Sequence, residues 1–530
     1  MKSIPLILIT AALSLAQTAR QANGQLIQLQ PPQPTSFDCA ADGMVVNATT
    51  GEPIARAHVN VTLLGAGGYS AVTDSSGKWA LSNMACATGQ IQVTRPGFLQ
   101  NARAGGSFRA LRLISGSPVH DLKTELIPQS VAWGKVLDDQ GDPVMGAQVS
   151  ALGARVVDGR PRFQQTGAGM TNDLGEYRIA NLPRGKYILC VHLNQPNALV
   201  QAATIAADTC YPGPLEGGAA SAMDLPAGRE SKVDFTLNEV PAVHVRGSIT
   251  GLREGPGSAG VNLVKRSGAE PGGNYNNVPG AIGAGKFDFR VPPGSYMLTS
   301  DYFDSGKRLT ARVPIEAGGT DIDNVVVHLD AGFTVTGIVR VVSQPGRTAN
   351  QNFGINLRTS EPASNTGQLK WDPDHTSFAV NEMVPGSYRL DVNPPPPFYV
   401  KSATLAGQDM LNNEIPISQA AGPIEIQLRD DGGSIEGDVV DANGQPVTAG
   451  IMLLRGPIRA AYQMSPPNGH FKIQNVAPGD YTIYAWDNPD EVAYADQDWM
   501  RRNGGGGTAI TVTASQNQQI KLTQQPVPQQ

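Results

Sequence analysis

Few residues in this 530-residue chain are spaced for chemistry. The seven His residues (His58, His120, His192, His244, His328, His375 and His470) are scattered along its length. None stands in a His-Glu-x-x-His pattern, which would put two imidazoles on one helix face around a zinc ion. Asp372-Pro373-Asp374-His375 and Asp496-Gln497-Asp498 offer clustered carboxylates. A calcium ion takes about six or more oxygens, often from several loops, so such pairs read first as solvated turns. A Gly-x-Ser-x-Gly nucleophile motif is absent, and no lysine follows the glycine run 504–507 as a phosphate loop requires. The expectation is no catalytic residue, no metal and no cofactor.

One aromatic constellation remains. If Tyr481, Ile483 and Ala485 face a core, then Tyr484 and Trp486 share the opposite face of the same strand. Tyr494 and Trp499 follow within the insertion 487–507. These four are the candidate ligand-binding residues, because aromatic faces stack on sugar rings or anchor a protein partner. The competing reading has the insertion fold back and bury them as a minor core. The four cysteines, Cys39, Cys86, Cys190 and Cys210, allow three pairings; their grouping along the chain favours 39–86 and 190–210. An oxidising compartment permits both bonds.

The elements that must position these residues come from a five-copy repeat. Each copy opens with a Gly-x-Val-like strand: Gly43-Met44-Val45, Gly134-Lys135-Val136, Gly247-Ser248-Ile249, Gly337-Ile338-Val339 and Gly437-Asp438-Val439. A turn and an inward aromatic follow, as in Gly77-Lys78-Trp79, Gly175-Glu176-Tyr177, Gly285-Lys286-Phe287 and Gly469-His470-Phe471; copy four keeps only Phe378. A Pro-Gly or Pro-x-Gly turn then leads to a closing Tyr strand, at Tyr187, Tyr296, Tyr388 and Tyr481, while copy one lacks the Tyr. Alternation of period two after each Tyr means one buried face. Copies of about 90–110 residues suit a seven-strand sandwich rather than the shorter blades of a propeller. The expected architecture is all-β: antiparallel sandwiches of prealbumin or immunoglobulin type at 25–127, 128–239, 240–330, 331–430 and 431–530, in series, with limited bending at short linkers.

Charge and targeting narrow the function classes. A formal net charge of −6 without a basic run excludes nucleic acid as an expected partner. Met1-Lys2, the apolar stretch from Ile4 to Leu15 and Ser14-Leu15-Ala16 read as a signal peptide within 1–24. The apolar stretch is shorter than the ~20 residues that span a bilayer, and no later segment approaches that length. A secreted, periplasmic or cell-surface protein with no membrane span after cleavage is expected.

The paired motifs resemble the carboxypeptidase regulatory-like domain, a transthyretin-type sandwich, with residues 131–193 the best match and copy five next. The resemblance implies a fold and says little of activity, since these are turn and core positions. In metallocarboxypeptidases such a domain accompanies a separate zinc-dependent catalytic domain, and no region here is left to be one. The chain also resembles secreted multi-repeat proteins of soil bacteria that carry these modules without an enzyme. Related sandwiches include starch-binding modules, which brings carbohydrate in by analogy. The expected function is an exported, non-enzymatic binding or scaffold protein whose partner is a polysaccharide or a cell-envelope protein. The alternative is an accessory subunit or enzyme acting on polysaccharide or peptide.

Overall fold

The computed structural model describes residues 36–100, 109–193, 203–212, 222–251, 260–266, 285–304, 307–343, 353–359 and 367–528, with short strands at Gln21–Ala22, Gln25–Leu26, Asn277–Val278 and Ala281–Gly283. The signal-peptide expectation for 1–24 lies outside the described residues apart from Gln21–Ala22. Two compact units emerge, Met1–Gln129 and Ser130–Gln530.

In the first unit, Cys39–Asn47 lies between Lys78–Met84 and Val119–Pro128, and a second sheet joins Gly67–Val72, His58–Leu63, Thr88–Thr94 and Arg109–Arg112. Val45, Val59, Val61, Trp79, Ile91, Val93 and Leu126 form the core between them. Period-two alternation is visible directly: His58–Leu63 is exposed and buried by turns.

The second unit repeats the plan. In copy five, Gly433–Val440 lies between His470–Val476 and Asn517–Thr523. The facing sheet orders Ile458–Met464, Gly450–Arg455, Gly479–Trp486 and Thr508–Val512, giving the seven strands expected. Copies two, three and four centre likewise on Ser130–Asp138, Val243–Thr250 and Phe333–Val342. Each has its own core.

Wholly antiparallel sheets are not what forms. The opening strand pairs in parallel with the last strand of its copy, as in Gly437↔Ile520 and Gly337↔Ile424. The reason is topological: the copy begins and ends in the same sheet with its strands running the same way, so the connection must cross the whole sandwich. This pairing explains the opening glycine. A Cβ on Gly43, Gly134, Gly247 or Gly437 would sit 1.8–2.1 Å from the carbonyl oxygen of Leu122, Val233, Val325 or Ile520. Only a residue without a side chain lets the two backbones approach so closely.

The closing Tyr is explained as well. Tyr187, Tyr296, Tyr388 and Tyr481 each donate from the hydroxyl to the carbonyl four residues earlier, at Pro183, Pro292, Val384 and Ala477, over 2.7–2.8 Å. The ring fills the core while the hydroxyl satisfies a turn carbonyl, a corner known from other sandwiches.

Candidate functional site

Strand Gly479–Trp486 places its side chains as the alternation predicts: Tyr481, Ile483 and Ala485 enter the main core, and Tyr484 and Trp486 share the other face. Of the two readings of this other face, the one that forms is the fold-back of the insertion over its aromatics. Tyr484 is 7% exposed, Trp486 1% and Trp499 6%. They close a minor core with Met452, Leu454, Val492, Ala493 and Val527. Tyr484 and Trp486 stack at 5.8 Å, and Trp499 tilts onto Trp486 at 5.8 Å.

The insertion brings the cover. Its short helix, Gln497–Asn503, is capped by Asp496, whose Oδ1 accepts from the backbone of Asp498 at 2.9 Å and Trp499 at 3.0 Å. The cap turns Trp499 inward, so Asp496 serves as a cap rather than as a cation ligand. The polar tail also docks: Gln525 N donates to Ala485 O, and Val527 N to the Asp487 carboxylate at 2.8 Å. The one apolar anchor of this otherwise polar tail, Val527, stands between prolines and is buried in the minor core.

Tyr494 has a different role from its three companions. Its ring lies over Gly159, the tip of the copy-two hairpin Ala147–Val157 and Arg160–Met170; a Cβ there would meet the ring at 2.6 Å. Ala495 N donates to Gly159 O at 2.8 Å, and Val156 packs on the minor core. The Arg459 guanidinium sits 5.3 Å from the Tyr494 ring centre. Burial pushes the Tyr494 hydroxyl pKa up. Beside it, Arg358 and Arg389 of copy four approach Asp158 at 3.9 and 3.8 Å. Three copies therefore meet at one hairpin tip, and the expected simple series, each copy touching only its neighbours, fails within Ser130–Gln530. The fixed 3.6 or 2 periodicities carry no signal for such a contact; Asp158-Gly159 is a turn dipeptide like any other.

Both expected disulfides are present, Cys39–Cys86 and Cys190–Cys210. Asp38 lies beside the first pair, but the two sulfurs are bonded to each other and offer no thiolate to a metal. Cys190 occupies the position in copy two that Tyr484 occupies in copy five, three residues after the closing Tyr.

The remaining polar candidates do not converge. His120 pairs with Asp42 at 2.5 Å, His192 with Asp208 at 2.6 Å, His244 with Asp288 at 2.8 Å and His470 with Asp438 at 3.1 Å, each within a separate copy. The Asp372 carboxylate accepts from Thr376 N at 3.0 Å and Ser377 N at 3.1 Å, folding its own turn, and those backbone donors, Ser377 first, hold its pKa below the usual range. Asp74, Asp138, Asn172 and Asp441 likewise accept from the backbone of their own turns in other copies. At Gly77, Gly141, Gly175 and Gly444 an Asp or Asn stands three residues before the turn glycine, readable in the sequence as an Asx turn.

No curated protein matches this chain. Among solved structures it is similar to the Bacillus anthracis TIE protein, at 14% identity over 56% of this chain and 51% of that one, with a TM-score of 0.17. It is also similar to the minor pilin GBS52 of Streptococcus agalactiae (14% identity, 38% of this chain, 96% of that one, TM-score 0.20). A third is the shaft pilin SpaA of Lactobacillus rhamnosus GG (12% identity, 38% of this chain, 98% of that one, TM-score 0.16). The chain spans about half the length of the first of these, and likeness at such scores says nothing of what it does. The family match falls on copy one, which lacks the closing Tyr: residues 41–113 match the model of the carboxypeptidase regulatory-like domain.

Proposed function

We propose that this chain is an exported, non-enzymatic scaffold of five sandwiches, with boundaries near 128, 240, 331 and 431, acting on the cell envelope through a protein partner. The observation that carries the reading is the fate of the insertion 487–507. Its aromatic residues are engaged inside the molecule, and Tyr494 holds the hairpin tip of a sandwich three copies away. A segment built to bind sugar would leave such rings exposed; this one joins copies into a braced body. The two disulfides support an oxidising compartment. The His–Asp pairs lie apart, each within its own copy, which favours a scaffold over the alternative of an enzyme on polysaccharide or peptide.

The test is Tyr494→Ala in the full chain, followed by small-angle scattering and hydrogen exchange. The expected result is a larger radius of gyration and faster exchange at the Ala495 amide, with copy-five sheet amides still protected. Unchanged scattering and exchange would reject the brace. A polysaccharide panel run alongside should show no binding; binding by the wild-type chain would restore the carbohydrate reading in its place.

A further inference from the structure

The insertion of copy two, like that of copy five, reaches another copy, and its own end is fastened by a covalent bond within copy two. Cys190 and Cys210 stand directly opposite each other in the pairing of Gly185–Leu193 with Thr209–Tyr211. The bond therefore ties Thr209–Tyr211, at one end of the segment 203–212, to the edge of the copy-two sheet, beside Gly185–Leu193. The other end of that segment grips the junction with copy three. Thr204–Ala206 pairs with Glu239–Pro241, the stretch between the last strand of copy two and the first of copy three. Ala207 N donates to Asn238 O and Ala242 N to Ala203 O, both at 2.9 Å. Arg290 of copy three, 5% exposed, donates to the Thr204 carbonyl. Asp208 faces His192 of copy two at 2.6 Å and Lys265 of copy three at 3.9 Å.

We propose that the Cys190–Cys210 bond is a redox-sensitive lock on the junction between copies two and three, opened by dithiols. The inference rests on the reading of Ser130–Gln530 as a braced scaffold. Cys190 is fully buried and Cys210 half-buried, so the accessible sulfur is that of Cys210. A dithiol thiolate attacks Cys210 Sγ, the S–S bond breaks, and Cys190 leaves as a thiolate that takes up a proton. The second thiolate of the reagent then attacks the mixed disulfide, forms its own intramolecular S–S bond and releases Cys210, which is protonated in turn. Two electrons pass to the protein and the dithiol is oxidised. The segment is then held by two three-residue pairings, to Gly185–Leu193 and to Glu239–Pro241, and by polar contacts, without the covalent tie that fixes the first of them. Cys39–Cys86, inside the first unit, has no part in this junction.

Hydrogen exchange on the full chain tests it, comparing untreated protein, protein reduced with dithiothreitol, and the double variant Cys190→Ala, Cys210→Ala. Mass analysis of the reduced sample reports which bond has opened. The expected result is about tenfold faster exchange at Ala207 and Ala242 in both opened forms, with Ala147–Val157 still protected. If the variant does not fold, the reduced wild-type protein decides alone. Unchanged exchange at Ala207 and Ala242 once the bond is open would overturn the lock. The Ala495 amide separates the two ideas: rapid exchange there in untreated protein sinks the braced scaffold, whereas slow exchange there with no response at the junction sinks only the lock.

Discussion

Copies two and five insert extra chain at the same place, after the closing Tyr strand, and cover the same outer face by opposite means. Copy two uses one covalent bond at Cys190, and copy five packs Tyr484, Trp486 and Trp499. The difference shows in the size of the cluster beneath. Under the disulfide, Leu152, Ile188 and Cys190 are the buried residues of the cluster among those described, whereas the aromatic cover seals eight. Copy three has no such insertion: Gly294–Asp304 turns straight into Lys307–Ala317, and the equivalent residue, Thr299, stays half-exposed. A covered outer face thus goes with a segment that reaches another copy, so covering that face and bracing the chain are one task.

The sharpest break of this comparison is Trp486→Ala. Loss of a fully buried indole should cost about 3–5 kcal/mol, read by denaturant unfolding of the full chain, because the minor core cannot collapse around so large a void. Removing both Cys190 and Cys210 should cost about 3 kcal/mol for a loop of 20 residues. If the order reverses, packing is not the stronger cover. Next come the two corner tyrosines. Tyr187→Phe should cost about 1 kcal/mol; Tyr481→Phe should cost more, since Arg455 also donates to the Tyr481 hydroxyl at 2.6 Å and stacks on its ring. Equal costs would mean that Arg455 contributes nothing.

The smallest effect concerns the junction of copies four and five, which has neither cover. Tyr399 donates to Asp431 at 3.0 Å, and Arg429 chelates the same carboxylate at 2.9 and 2.5 Å. Burial first, then the bond to Asp431, pushes the Tyr399 pKa up to about 12. The folded value lies above the ordinary one of about 10, so the contribution is complete below pH about 10 and is lost as pH rises towards about 12. Asp431 runs the other way: Arg429 holds its pKa down, so its contribution is present above the usual carboxylate range and fades on acidification. The stability gap between wild type and Tyr399→Phe should stay level through neutral pH and narrow in strong base. A gap unchanged there would remove Tyr399 from the junction.

The sandwich plan was legible because it is written in short-range marks. Gly-x-Val, the turn glycines, the inward aromatics and the corner tyrosines each fix backbone geometry within a few residues, and Trp79, Tyr177, Phe287, Phe378 and Phe471 are all buried where the alternation puts them. The same alternation assigned Tyr484 and Trp486 to the outer face correctly. It left open whether the insertion covers that face, because the cover comes from a capped helix and a tail whose apolar residues follow no period. The parallel partner of each opening strand was likewise invisible: register between segments some eighty residues apart leaves its only trace in a glycine that looks like a turn residue.

That parallel pairing also sets an order of events while the chain is being made. Ser434 must wait for Asn517, 83 residues later, before its strand gains the second neighbour. Until then each nascent copy carries an open edge on its central strand, available to the like edge of the next copy. Contacts this distant along the chain form slowly, and tandem copies of one fold are prone to exchanging strands in that interval. The hairpin tip at Gly159 waits longer still, for Tyr494. A ribosome pause or a truncation late in copy five would therefore strand two sandwiches at once: the last without its final strand, and the second without the partner that closes over its tip.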